Sequence, residues 1–245
     1  MTVLYEQPER HIPMFSHLKD CARAGAMDHV SLFSNTAQIT VCDAIARKNL
    51  DDYLRALYIH VDWYTMGENV GKAVGMNTIM NNAGEGEIWF HMDSDILISA
   101  ATMRRAFELF DQYGTNGTRG GTFSILSLEQ SGERCHKARH SKPAKIINGE
   151  HAVHLSNGQG VAGGAMLLLS SEARYKEGVA IYGGNEPSMY KSVRDIERKD
   201  FKVALCSTLV VAHPKDYNVE YTRWKRNVHA TLRKKGEAPQ TGYFD

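Results

Sequence analysis

The chain has 245 residues, 42% of them hydrophobic and 23% charged, with a formal net charge of +1. That length holds one large domain or two small ones, and a charge so near zero favours no class of partner by bulk electrostatics. No apolar run reaches the roughly 18 residues of a membrane span, and the opening MTVLYEQPERHIP has early charges, a proline and no signal-peptide apolar core. The four cysteines, Cys21, Cys42, Cys135 and Cys206, are widely spaced and form no CxxC pair, which argues against a disulfide framework and a cysteine zinc site. The expectation is a cytoplasmic protein with reduced thiols, in the host cytoplasm if the source is viral.

Strand and helix signals alternate at first. TVLYEQ, residues 2–7, reads as a strand. Pro13 is expected to open a helix that runs to about residue 24 and stops at Gly25. HVSLFSN (29–35) is a second strand, a helix covers 37–57, and YIHVDWYT (58–65) is a third strand. A helix over about 71–82 leads into a fourth, IWFHM, and a further helix covers 100–113 with Gly114 as its C-cap. The texture then changes. GTNGTRGGT (114–122) is rich in turn residues, and SGERCHKARHSKPAKIINGEHAVH is polar, basic and weakly patterned, so it is read as irregular. GVAGGAMLLLS (160–170) is a glycine-rich entry into an apolar strand. Asn185 caps an expected helix with Pro187 in its first turn, KVALCSTLVVAHP is a final strand pair, and residues 217–235 read as a helix. Alternation of this kind predicts an α/β fold with a mainly parallel sheet flanked by helices, and such sheets bind ligands beyond the C-terminal ends of their strands.

At one such end the apolar strand runs into Asp93-Ser94-Asp95. Two carboxylates so close repel each other, and strand interiors disfavour Asp. A hard divalent cation between them, Mg²⁺ or Mn²⁺ held by carboxylate and phosphate oxygens, explains the pair. The plainer reading is a surface turn using Asp for backbone hydrogen bonds.

GENVGKAVGMNTIMNNAGEGEIWFHMDSDI, with Asn69, Gly71, Lys72, Ala73 and Asn77 ahead of Asp93 and Asp95, resembles the GT-A nucleotide-sugar glycosyltransferases, the family-2 group above all. VAGGAMLLLS, YGGNEP and VVAHP follow in the order of that family's acceptor-side strand, acidic helix start and terminal-strand histidine. The resemblance covers residues 3–214. It implies a GT-A domain over 1–215, with a nucleotide-binding half (1–98) and an acceptor-side half (99–215), followed by a basic helical tail over 216–245. The family's acidic residue after the second strand is missing, and FSNTAQ stands in its place.

The resemblance further implies a metal-dependent hexosyl- or pentosyltransferase moving sugar from a nucleotide sugar, a UDP-sugar first, to a hydroxyl with inversion. Asp95 is the first expected metal ligand, His213 the second, and Asp93 binds ribose or the metal's waters. Tyr5, Gln7, Ser34, Asn35, Asn69, Lys72, Asp93, Gly163 and Gly164 are expected around the donor. Glu186 is the candidate general base, with Asp195 its rival. Helix-terminus charge compensation for Glu186, and a structural role for His213, remain open beside these readings.

Two basic stretches bear on the acceptor. Arg134, Lys137, Arg139, Lys142 and Lys145 fall in the irregular segment, and Arg223, Lys225, Arg226, Arg233, Lys234 and Lys235 fall in the tail beside Tyr221 and Trp224. Arg134, Lys137, Arg139, Trp224 and Arg233 are the acceptor-binding candidates. Local positive surfaces suit a nucleic acid or an anionic membrane surface, and otherwise mark a solvated face. Enzymes of this fold class glycosylate hydroxymethylated bases in phage DNA, and that acceptor is an expectation here. Two other functions stay in view. A sugar-1-phosphate nucleotidyltransferase is disfavoured because YEQPERHIP lacks a glycine-rich loop, and a non-catalytic nucleic-acid-binding protein is disfavoured by the DxD pair and His213. Oligomeric state is not legible.

Overall fold

The computed structural model describes residues 1–4, 8–36, 38–84 and 87–114, five later strands and Arg223; from residue 109 to residue 210 the description is of backbone. Strands β1 (Thr2–Leu4), β2 (His29–Ser34), β3 (His60–Thr65) and β4 (Ile88–Asp93) form a parallel block in the order β3-β2-β1-β4. Helices α1 (Pro8–Arg23), α2 (Val41–Ala56) and α3 (Lys72–Asn81) join them in turn. Residues 30–34 of β2 are all buried, as expected of a parallel strand covered on both faces.

The alternation of side chains sorts the two faces. Leu4, Val30 and Leu32 join Met14, Phe15 and Leu18 of α1 and Leu50 and Leu54 of α2 in the main apolar cluster. Val3 and Phe33 point the other way, toward α3. A Cβ built on Gly75 would lie 2.8 Å from Phe33 Cδ1 and 3.0 Å from Val3 Cγ2, so glycine lets this helix sit close on the sheet.

Several boundaries differ from the sequence reading, each for a local reason. Helix α1 starts at Pro8, not Pro13. Pro8 meets the first-turn preference equally well with Glu9 beside it, and Pro13 is carried inside the helix. Helix α2 starts after Thr40, whose hydroxyl accepts from the Asp43 amide at 3.2 Å, so capping chemistry and not the apolar run sets its beginning. Strand β3 starts at His60 because Tyr58 takes φ 59° to end α2. The Tyr58 amide bonds Arg55 O and the Ile59 amide bonds Leu54 O, both at 3.0 Å. Gly25 ends α1 in the same way at φ 65°, with the Ala26 amide on Cys21 O at 2.9 Å.

Helix α4 (Ala100–Gly114) leads to β5 (Gly121–Leu128), β6 (Lys142–Ile147), β7 (Glu150–His154), β8 (Ala165–Leu169) and β9 (Lys202–Ala212). The nine described strands form one sheet, β3-β2-β1-β4-β8-β5-β9-β7-β6. Strand β8 runs antiparallel between β4 and β5, β9 is parallel to β5, and β7 and β6 complete the sheet antiparallel. Two expectations are corrected here. The basic segment read as irregular contains the β6–β7 hairpin. Its closing pair Ile147↔Glu150 leaves Asn148-Gly149 between the strands, a residue pair characteristic of tight hairpin turns. KVALCSTLVVA is one strand, whose register against β5 shifts between Ile125 and Leu126, and not a strand pair. The helices expected after Asn185 and over 217–235 lie outside the described residues, apart from Arg223, which is helical.

Candidate functional site

The site is built at the C-terminal ends of the central strands. Val3 pairs with Phe33 on one side and Asp93 on the other, which sets the ends of β2 and β4 level across β1. Buried Met92 and Ile96 flank the Asp93-Ser94-Asp95 turn, and the Ile96 amide closes it on Asp93 O at 3.1 Å. Two apolar anchors thus hold two carboxylates at the sheet edge.

Each carboxylate meets a cation from a different helix. Asp93 Oδ1 forms a short ion pair with the Lys72 ammonium at the start of α3. Asp95 Oδ2 accepts from Arg10 Nη1 of α1 at 3.2 Å. The four side chains are mostly covered, from 11% exposed for Arg10 to 31% for Asp93, and their formal charges sum to zero. His91, two residues before Asp93, is buried, with Nε2 3.8 Å from Asp93 Oδ1. Burial, and then the Lys72 charge, hold its imidazole well below its ordinary pKa, against the pull of Asp93.

The loop before α3 is fixed by two asparagines. Asn35 Nδ2 donates to Asn69 Oδ1 at 2.8 Å, and Asn35 Oδ1 accepts from the Val70 amide at 2.7 Å. Asn69 Oδ1 also accepts from the Gly71 amide at 3.1 Å. Gly71 takes φ 85°, so the chain enters α3 through a left-handed residue with Lys72 directly after it. Ser34 Oγ accepts from Arg47 Nη1 at 2.7 Å, and Arg47 is ion-paired to Asp43, whose other oxygen lies 2.7 Å from His11 Nε2. This buried chain of polar groups ties α1 and α2 to the end of β2. Desolvation of Asp43 is outweighed by its bonds to Arg47 and His11, which bring its pKa below the ordinary value.

The structure therefore brings together Ser34, Asn35, Asn69, Lys72, Asp93 and Asp95. Of the two residues expected beside the donor, both buried, Ser34 is bonded to Arg47, and Asn35 is bonded to Asn69 and Val70, so Asn35 positions that loop. Arg10 was missed by the sequence reading. Its signal was a basic residue shortly after the first parallel strand. Tyr5, Gln7, Gly163, Gly164, Glu186, Asp195 and His213, and the acceptor candidates Arg134, Lys137, Arg139, Trp224 and Arg233, lie outside the described residues. Ala212, just before His213, exchanges two backbone hydrogen bonds with Leu97, at 2.8 and 2.9 Å. The described end of β9 thus lies beside Leu97, two residues after Asp95.

Two carboxylates at a strand end, partly open, are a donor set that fits a hard divalent cation. Among the described residues no helix is long and apolar enough to cross a membrane.

No family model and no curated protein matches the sequence. Solved structures do match. A mannosyltransferase from Pyrobaculum calidifontis, in complex with GDP-Man and Mn²⁺, superposes with a TM-score of 0.58 at 14% identity over 97% of this chain and 64% of its own. TarS 1–349 from S. aureus gives 0.57 at 12% identity over 94% of this chain, which spans 64% of that structure. GalNAc-T7, solved with UDP, GalNAc and Mn²⁺, gives 0.53 at 11% identity over 80% of this chain and 39% of its own. These superpositions show that the chain has the GT-A fold.

Proposed function

We propose that this chain is a metal-dependent glycosyltransferase that takes its sugar from a nucleoside-diphosphate sugar, a UDP-sugar first, and passes it to a hydroxyl with inversion. The observation that carries the reading is the convergence of Asp93, Asp95, Lys72 and Arg10 at the C-terminal edge of β1 and β4. Support comes from neighbours solved with GDP-Man and Mn²⁺ and with UDP, GalNAc and Mn²⁺.

The chemistry follows from charge. The reaction breaks the bond between the anomeric carbon and the diphosphate oxygen, leaving negative charge on the diphosphate, while the acceptor oxygen bonds that carbon and gives up its proton. Asp95, Asp93 and His213 would hold a divalent ion, Mn²⁺ or Mg²⁺, which would supply Lewis-acid charge to the leaving diphosphate. Lys72 sits at the N-terminus of α3, whose first turn carries no acid, so ammonium and helix dipole together present positive charge to an anion. Arg10 offers a planar fork to a carboxylate or a phosphate, and its bond to Asp95 keeps that carboxylate in place. Asn35 and Asn69 hold the loop that carries Lys72. Glu186 takes the acceptor proton, with Asp195 its rival.

A nucleic-acid acceptor, hydroxymethylated DNA in the first instance, is the second reading. It rests on the basic stretches, of which Lys142 and Lys145 lie on β6, at one edge of the described sheet. Mass spectrometry of products from a panel of nucleotide sugars, with Mn²⁺ and with or without modified DNA at two salt concentrations, tests both. Sugar transfer or donor hydrolysis supports the first reading. DNA products that fall steeply with salt support the second. Inertness toward every donor defeats the enzyme reading.

A further inference from the structure

At the far end of the same strands lies a second cluster. His29 and His60 open β2 and β3 and stand directly across from each other in register. Asp62, two residues along β3, shares the face of His60. Its carboxylate reaches both imidazoles, with Oδ2 2.8 Å from His29 Nε2 and Oδ1 3.2 Å from His60 Nε2. From His29 to Ser34, beside the candidate active site, is five residues of strand, roughly 16 Å. The two clusters are therefore separate.

We infer that His29, His60 and Asp62 form a binding site for a transition-metal ion, zinc above all, distinct from the hard-cation site at Asp93 and Asp95. Two imidazoles and one carboxylate are the donor types zinc takes in three-ligand sites, which leave a fourth position open. Tetrahedral zinc with bonds of about 2.0–2.1 Å spaces its ligand atoms about 3.3 Å apart. Here the three ligand atoms all lie within 4.8 Å of one another, so side-chain rotation suffices to close the set.

The surroundings fit the assignment. The His29 ring is held edge-on by Trp89 at 4.6 Å and by His60 at 4.5 Å, which limits its orientation. Ser31 Oγ lies 3.2 Å from His29 Nε2, close enough to bond a ligand of the ion. All three donors line a cavity of about 1040 Å³ at this edge of the sheet. Trp89, whose ring packs on His29, lines the same cavity. The competing account is an Asp62 that only accepts hydrogen bonds from two histidines. The two accounts differ in whether the cluster takes up metal.

The test uses the full chain, stripped of metal and titrated with Zn²⁺ by calorimetry and with Co²⁺ by visible absorption. In wild type and in Asp95→Ala alike, the cluster should take up one equivalent with the intense d–d bands of low-coordinate cobalt. His60→Gln and Asp62→Asn should each weaken binding at least tenfold and lose those bands. His60 is 64% exposed, so its substitution leaves the core untouched, and circular dichroism checks that both variants fold. No zinc uptake by wild type, low-coordinate cobalt bands that survive in both cluster variants, or those bands lost in Asp95→Ala would each overturn the inference.

Discussion

Replacing Gly75 by alanine should unseat α3 and disturb the site it carries. The new methyl carbon would start 2.8 Å from Phe33 Cδ1 and 3.0 Å from Val3 Cγ2. Carbon atoms pack at about 3.5 Å or more, so helix or ring must yield by about 0.7 Å. Phe33 is fully buried, which leaves the helix to move. Overpacking of this kind costs about 1–3 kcal/mol, and alanine returns up to about 1 kcal/mol of helix propensity over glycine. With the full propensity gain the net loss is about 0–2 kcal/mol, and at about 2–4 °C per kcal/mol for a chain of this size the Tm falls by up to about 8 °C. Lys72 lies less than one turn away, so its ammonium should draw off Asp93 and nucleoside-diphosphate binding should weaken as well. Thermal melts of wild type, Gly75→Ala and Gly75→Ser, with a diphosphate titration of each, read both effects. A Gly75→Ala protein as stable as wild type with unchanged binding would refute the reasoning.

Tyr58→Gly should stabilise the protein by about 0.5–1 kcal/mol, because Tyr58 is 97% exposed and adopts φ 59°, which costs a non-glycine residue about 1–2 kcal/mol; an unchanged or lowered urea midpoint would count against the strain. Asp43→Ala should cost about 3–5 kcal/mol by stranding the buried Arg47 guanidinium, and it should be visible as a lowered melting point at neutral pH. Stability should also fall as the solution is acidified below about pH 6.5. Burial, and then the Arg47 charge, hold the His11 pKa below its ordinary 6.5 against the opposing pull of Asp43 and Glu9, so the unfolded chain binds a proton that the folded chain refuses. A stability curve flat from pH 7.5 to 5 would contradict the His11 assignment, and the lowered Asp43 adds a further loss only below about pH 5.

The parallel block was legible because hydrophobic runs, helix stops and strand ends are local signals. Asp93 and Asp95 stood out since charge at the end of an apolar strand is costly without a partner. The identity of that partner was not legible. Lys72 comes 21 residues before Asp93 and Arg10 comes 85 residues before Asp95, and pairing over such separations depends on strand order. His29 and His60 escaped notice for the same reason, being 31 residues apart yet adjacent in register. The β6–β7 hairpin is a different case. Asn148-Gly149 was a readable turn signal, but the lysines around it drew the reading toward a solvated, irregular segment.

The most direct test of the central claim is calorimetric titration of wild type and Asp95→Ala with UDP and GDP, with and without Mn²⁺. The account predicts nucleoside-diphosphate binding to wild type that strengthens with Mn²⁺, and loss of that metal-dependent part in Asp95→Ala with the fold intact. Binding indifferent to Mn²⁺ and to Asp95, or no binding of either diphosphate, would contradict it.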